Sequence, residues 1–226
     1  DGREHIEHTV RALTHELKSP LSAMRASGEL LQDELAAPDR QRFAGQVIEQ
    51  SERMRELVDR MLELSKLEMQ QGPAHPEPLQ LDELVEAVLR AQAGRLAQRG
   101  LTWLWLAREP LRISADRELL QLALSNLLVN AIDFAPAGSV LELSLEAAEG
   151  QALLSLRDHG PGVPPDKLAR LTTPFFRGDA ARTAATGAGL GLAIVEKSIQ
   201  RLGGQLEIGN AEGGGLLTVI RLQRAT

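Results

Sequence analysis

Residues 15–21 read HELKSPL, inside the longer run THELKSPLSAM (14–24). An apolar heptad row passes through a histidine here and meets a proline five places on, a combination that needs a reason in a stable helix. Val10, Leu17, Met24 and Leu31 recur every seven residues, and Ile6 and Leu13 fall three places after the matching positions, the seam of a packed helix. With Val10 and Leu17 at heptad position a and Leu13 at d, His15 takes position f and is expected to face water. A lone histidine there is ordinarily a bland surface residue, as His8 on the same outer row is expected to be. His15 differs in its surroundings: Glu16 beside it, Lys18 and Ser19 within a turn, and Pro20 beyond. Pro20 has no N–H for the carbonyl of Glu16, so the helix should bend or loosen beside the imidazole. An exposed imidazole offers a nitrogen lone pair as a nucleophile, and a neighbouring carboxylate can take a proton from the other ring nitrogen.

Downstream, LAAPDRQRF (35–43) is expected to break the first helix at Pro38. A second helical pattern follows, with Phe43, Leu57 and Leu64 on one row and Val47, Met54 and Met61 on the next. Two amphipathic helices joined by a short turn have more apolar face than one partner covers, so the hairpin predicts a homodimeric four-helix bundle. QQGPAHPEP (70–78) carries three prolines and a glycine, which stop a helix. The expected boundaries are a helical domain over 1–71, a linker over 72–78 and a second domain over 79–226.

In that second domain helices are expected over 81–100, 115–135 and 190–203, and strands over 101–106, 139–148, 151–158, 204–210 and 216–224. AEGGG (211–215) separates the last two strands. The expected fold is α+β, a sandwich of helices over a mostly antiparallel sheet. The 226 residues carry 31 acidic against 25 basic side chains, net charge −6, which disfavours a broad nucleic-acid footprint. No cysteine is present, so disulfide and thiolate chemistry are excluded. No apolar run approaches the roughly 20 residues of a membrane-spanning helix, and the expectation is a soluble piece. Because the chain begins inside a helical pattern, an upstream portion is expected.

Three segments of the second domain carry polar chemistry. In LSNLLVNAIDFAP (124–136), Asn126, Asn130 and Asp133 fall at i, i+4 and i+7 on one helix face, opposite Leu119, Leu120, Leu127, Leu128 and Ala131. Asparagine is a poor mid-helix residue, so the polar row is expected to have a role, and the Asn130 amide oxygen can join phosphate oxygens and waters around magnesium. RDHGPGVP (157–164) puts Asp158 at a strand end before Gly160 and Gly162. A buried carboxylate can accept from an adenine amino group while glycines let the ring approach the backbone. In TGAGLGLAIVEK (186–197), Gly187, Gly189 and Gly191 open a helix whose first N–H groups suit phosphate oxygens. No Lys-Ser or Lys-Thr follows, which excludes a P-loop, and the strands do not alternate as a dinucleotide fold requires. Between these segments TTPFFRGDAARTAA (172–185) reads as a lid, anchored by Phe175 and Phe176, with Arg177 or Arg182 to meet a phosphate.

HELKSPL resembles the H-E-x-x-[ST]-P-L hallmark of the histidine-kinase dimerisation domain. NLLVNA (126–131) is similar to that family's asparagine box. The order of asparagine, first glycine, phenylalanine and second glycine boxes looks like the catalytic ATP-binding domain of sensor histidine kinases, a Bergerat-type fold. The resemblance implies that His15 is the phosphoacceptor, that Glu16 assists proton transfer, and that the bundle is a homodimer. ATP and Mg2+ are the implied cofactors. Asn126, Asn130, Asp133, Asp158, Gly160, Gly162, Phe175, Arg177, Gly187, Gly189, Leu190 and Gly191 are the implied nucleotide-binding residues, with Asn130 at the metal. The phosphoryl group would pass to an aspartate of a response-regulator receiver domain. The chain would be the cytoplasmic portion of a bacterial sensor anchored in the inner membrane. Two departures stand out: Asp133 occupies a place where the family usually has a basic residue, and Ser19 a place where phosphatase activity is usually tied to Thr or Asn. A conformational ATPase of the chaperone or DNA-repair type, or a nonenzymatic scaffold acting through the bundle, are the alternatives.

Overall fold

A computed structural model describes residues 2–69, 75–177 and 187–225, with side chains from Val10 onward. The chain divides into two compact units, Asp1–Ser65 and Lys66–Thr226.

The first unit is a helical hairpin. Helix α1 (Gly2–Leu30) carries Pro20 inside it and α2 spans Ala37–Met69. Helix α1 runs through Pro20 without interruption, against the expected loosening: a long helix survives one missing backbone bond, and the pyrrolidine ring is buried. Pro38 likewise does not end the first helix. The turn comes earlier, over 31–36, and Pro38 is the second residue of α2, where a missing N–H costs nothing. The Ser27 hydroxyl donates to the Gln46 side-chain carbonyl at 3.0 Å, a polar tie between the helices. Leu57 and Leu64 are buried, whereas Val10, Leu21, Ile48, Val58 and Leu62 are 44–62% exposed. A single hairpin thus leaves a long apolar stripe uncovered.

The second unit opens with β1 (Glu77–Gln80), α3 (Leu81–Ala91) and α4 (Ala93–Gln98). Strands β2 (Thr102–Arg108) and β3 (Arg112–Ala115) follow, then α5 (Arg117–Phe134), β4 (Val140–Ala148) and β5 (Gln151–Arg157). A short α6 (Pro165–Leu168), then α7 (Gly191–Arg201), β6 (Gln205–Asn210) and β7 (Leu216–Gln223) complete it. The five-stranded sheet has the order β2-β4-β5-β7-β6. Only β2 and β4 are parallel; the other pairs are antiparallel. β1 and β3 form a separate antiparallel pair that the sequence pattern did not announce, since four-residue strands are too short to show a period. The helix expected over 81–100 is interrupted at Gln92, two residues before Gly94, a weak helix former.

Strands β4, β5 and β7 alternate buried and part-exposed residues, so one sheet face meets the helices. Leu120, Leu127, Leu141, Leu145, Leu154, Ile199 and Ile220 lie in that core. Helix α5 is held at both ends. Asp116 caps its start, accepting from Leu119 N–H at 3.0 Å through Oδ1 and from His75 N–H at 3.1 Å through Oδ2. At its end the Arg99 guanidinium donates to the carbonyls of Asp133 (3.0 Å) and Ala135 (2.9 Å), completing groups a helix terminus otherwise leaves bare. Replacing Arg99 with Ala should lower unfolding free energy by about 1–3 kcal/mol, the range for losing charge-assisted bonds to backbone carbonyls. Urea denaturation reads the change, and an unchanged midpoint would remove Arg99 from this capping role.

Candidate nucleotide and phosphoacceptor sites

On α1 the His15 side chain is 85% exposed, with Nδ1 3.8 Å from Oε1 of Glu16, itself only 25% exposed. One turn further on, Ser19 is also exposed. Thr14 turns its hydroxyl back onto the carbonyl of Val10 at 2.7 Å and takes no part. The helix therefore presents an imidazole to solvent with a carboxylate beside one ring nitrogen and the other nitrogen pointing away from that partner.

On α5 the polar row is half-buried at Asn126, Asn130 and Asp133, while Leu119, Leu120, Leu127, Leu128 and Ala131 are buried. Asn126 donates from Nδ2 to the carbonyl of Leu122 at 3.0 Å, which orients its amide and leaves Oδ1 as an acceptor. No hydrogen bond holds the Asn130 amide to the described residues. The Asp133 carbonyl is the one that receives Arg99.

Past the end of β5 lies Asp158, 4% exposed. Its Oδ1 accepts from Gly160 N–H at 2.8 Å and from Leu216 N–H at 3.1 Å. Burial pushes its pKa above the ordinary carboxylate value; the two backbone donors, with His159 and Arg157 nearby, pull the other way without cancelling that penalty. The two glycines are packed tightly against the protein itself. A Cβ on Gly160 would sit 2.8 Å from the carbonyl oxygen of Phe134 at the end of α5. One on Gly162 would meet Oδ1 of Asn210 at 2.8 Å, and Gly162 has φ 68°, where glycine is favoured. Asn210, Leu216 and Gly215 escaped sequence reasoning because they lie some fifty residues further along the chain. The consecutive glycines of AEGGG were their only sequence signal.

The phenylalanine and second glycine segments meet directly. Phe175 donates its N–H to the carbonyl of Gly189 at 2.9 Å and adopts φ 64°, a left-handed conformation rare for an aromatic residue. Gly189 (φ 70°) has no room for a Cβ beneath the Phe175–Phe176 backbone. The Arg170 guanidinium covers the Phe176 ring at 4.4 Å. Gly187 is exposed at φ 64°, Leu190 is fully buried, and Gly191 starts α7, whose N-terminus has no side-chain cap. Among the described residues no side chain caps its first-turn N–H groups, the kind of groups that suit an anionic acceptor. Arg177 is half-buried. Arg182 and the remainder of the expected lid lie outside the described residues.

Two family descriptions match this chain. Residues 6–70 match the His Kinase A (phospho-acceptor) domain, and residues 115–226 match the histidine kinase-, DNA gyrase B- and HSP90-like ATPase. The second description spans gyrase- and HSP90-type ATPases as well as histidine kinases, whereas the first names histidine kinases alone. The chain belongs to the sensor histidine kinase family. It is 34% identical to the sensor protein CreC of Escherichia coli over 99% of its own length and 47% of that protein. It is 33% identical to the phosphate regulon sensor protein PhoR of Pseudomonas aeruginosa over 91% of its length and 47% of the relative. The chain thus spans about half the length of these curated relatives. Among solved structures, histidine kinase AdeS of Acinetobacter baumannii superposes with a TM-score of 0.74 at 27% identity, covering 94% of this chain and 98% of AdeS. Full-length ShkA in complex with AMPPNP gives 0.69 at 25% identity, over 97% of this chain and 46% of ShkA. The second unit is accordingly an ATP-binding domain. No described helix is long and apolar enough to cross a membrane.

Asp158 also marks the stability of that domain. The folded state holds its proton more tightly than the unfolded chain does, so ionisation of Asp158 takes stability away as pH rises above the ordinary carboxylate pKa of about 4. Asp158→Asn removes that contribution. The difference in urea midpoint between variant and wild type should therefore move in favour of the variant from pH 4 to pH 7, and a pH-independent difference would contradict the raised pKa.

Proposed function

We propose that this chain autophosphorylates His15 with ATP and passes the phosphoryl group to an aspartate of a response-regulator receiver domain. The observation that carries the proposal is an exposed imidazole beside Glu16 in the phospho-acceptor hairpin, joined in one chain to an ATP-binding unit with a buried carboxylate at Asp158. The lone pair of His15 Nε2 attacks the γ-phosphorus in line. An N–P bond forms, the bond to the β,γ-bridging oxygen breaks, and ADP leaves. Glu16, beside Nδ1, accepts the proton that the ring gives up. Catalysis then rests on positioning and charge neutralisation rather than on further covalent steps.

Within the ATP-binding unit, Asp158 accepts from the adenine amino group. Gly160 and Gly162 border the carboxylate on the purine side. Asn126, Gly187, Gly189, Leu190 and the start of α7 at Gly191 line the phosphates, with Phe175 tied to Gly189 and Arg177 supplying positive charge. Asp133 stands where a basic contact is usual and serves best through water. Magnesium fits this donor set. Among the described residues no cluster of three or more His, Asp or Glu could hold an ion by itself, yet an ion that keeps phosphate and water ligands needs little from the protein. The half-buried Asn130 amide, with no hydrogen bond to the described residues, is the group that would hold it, and the bound ion would neutralise charge on the β- and γ-phosphates.

A homodimer accounts for the apolar stripe that one hairpin leaves bare. The response-regulator partner follows from the family; ThkA, a neighbour in fold (TM-score 0.80, 20% identity), was crystallised with its response regulator TrrA. Ser19 is the group that would position water in a phosphatase step, and anchoring in the inner membrane would come from sequence outside this chain.

Incubation with γ-labelled ATP and magnesium should give acid-labile label on His15. His15→Gln should abolish it while nucleotide binding is unchanged; label that persists would overturn the assignment. Asn130→Ala should weaken ATP binding about tenfold in magnesium and much less in EDTA, as titration calorimetry will read. Equal losses in both conditions would refute the metal role.

A further inference from the structure

The AEGGG turn (211–215) has no part in the reading above, yet its backbone is tightly specified. Gly213, Gly214 and Gly215 are consecutive at φ 84°, 102° and 86°, a conformation glycine takes far more readily than other residues. A Cβ on Gly215 would run into the carbonyl oxygen of Asp158. The turn is pressed there by Arg157, reaching over from the end of β5. Its Nη2 donates to the carbonyls of Glu212 (2.9 Å) and Gly214 (3.1 Å), and its Nη1 lies 3.4 Å from Oε2 of Glu142.

At the foot of the same turn stands Asn210. Its Oδ1 accepts from Val163 N–H at 2.8 Å and its Nδ2 donates to the carbonyl of Val163 at 2.7 Å, a two-point clamp on one peptide unit. The segments these side chains hold are the ones that supply donors to Asp158. Gly160 N–H comes from the 158–163 segment clamped by Asn210, and Leu216 N–H comes from the end of the turn clamped by Arg157. Asp158 N–H in turn donates to the carbonyl of Leu216 at 3.1 Å, so strand end and turn are cross-braced.

We propose that Asn210 and Arg157 are positioning residues that aim the Asp158 carboxylate, so that the β6–β7 turn helps to set discrimination for the adenine amino group. The inference rests on the ATP reading above. Neither residue need touch the purine. Each fixes one of the two donors that fix Oδ1, and a hydrogen bond to a carboxylate loses strength steeply when its angle is spoiled. A purine without the 6-amino group does not use that bond and is insensitive to its aim.

The test measures affinities of the full chain for ATP and for purine riboside 5′-triphosphate, which lacks the amino group, in wild type, Asn210→Ala, Asn210→Asp, Arg157→Gln and Asp158→Asn. Arg221→Gln serves as control, because it breaks only an exposed pair with Glu207. Asn210→Ala and Arg157→Gln should each weaken ATP about tenfold and the analogue less than about twofold. Asn210→Asp, which keeps the acceptor for Val163 N–H, should recover part of the ATP affinity and gives a folded variant should the alanine change unfold the domain. Equal weakening of both nucleotides, together with a lowered Tm, would make the two side chains merely structural and overturn the inference. Should Asp158→Asn leave the preference for ATP intact, the adenine reading itself fails. Should Asp158→Asn abolish that preference while Asn210→Ala and Arg157→Gln retain it, only the positioning role fails.

Discussion

A carboxylate taken out of water at the end of a strand is the constraint around which the ATP-binding unit is arranged. Burying Asp158 is costly unless its oxygens are met by donors. The chain meets that demand with two backbone N–H groups, Gly160 and Leu216, drawn from segments more than fifty residues apart. Several residue choices follow from it. Gly160 lets the carboxylate lie close to the end of α5, Gly162 admits the Asn210 amide, and Gly215 lets the hairpin turn close on the Asp158 backbone. Glycine at these places answers the needs of protein packing and leaves the carboxylate rigidly held.

Helix α5 transmits the same rigidity to the polar row. Its first turn is capped by Asp116 and its last carbonyls are completed by Arg99, so neither end is left to fray. Phe134 at its end packs its carbonyl against Gly160, which places the asparagines of α5 and the carboxylate of Asp158 on one continuous support. The phenylalanine and second glycine segments are joined in a similar manner, through the bond from Phe175 to Gly189 and the left-handed conformation both residues adopt. Strain of that kind persists only where neighbours over-determine it.

The hairpin unit is built on opposite terms. Its His15 imidazole is exposed and makes only a loose approach to Glu16 at 3.8 Å, and its apolar residues form a stripe that a single copy does not cover. One unit is a cross-braced frame around a buried carboxylate, and the other presents an imidazole to solvent. Under the function proposed above, that division suits a phosphoryl group received from one site and surrendered to another.

The sequence alone determined the change from a helical hairpin to a mixed pattern of helices and strands, and the positions of nearly every long helix and strand. His15 stands on the outer row of α1 as the heptads require, because helical periodicity is a local property that 29 residues repeat often enough to read. Signals too short or too distant to repeat were left to the tertiary structure. Strands β1 and β3 have four residues each and no period, Pro20 and Pro38 have effects that depend on neighbours, and Gln92 breaks a helix that propensity alone would continue. The tertiary structure alone decided what Gly160, Gly162 and Gly215 pack against. Asn210 and Leu216 reach the Asp158 segment, and the carbonyls of Glu212 and Gly214 reach Arg157, only because β5, β7 and β6 are paired in the sheet, a non-local arrangement that no spacing along the chain encodes.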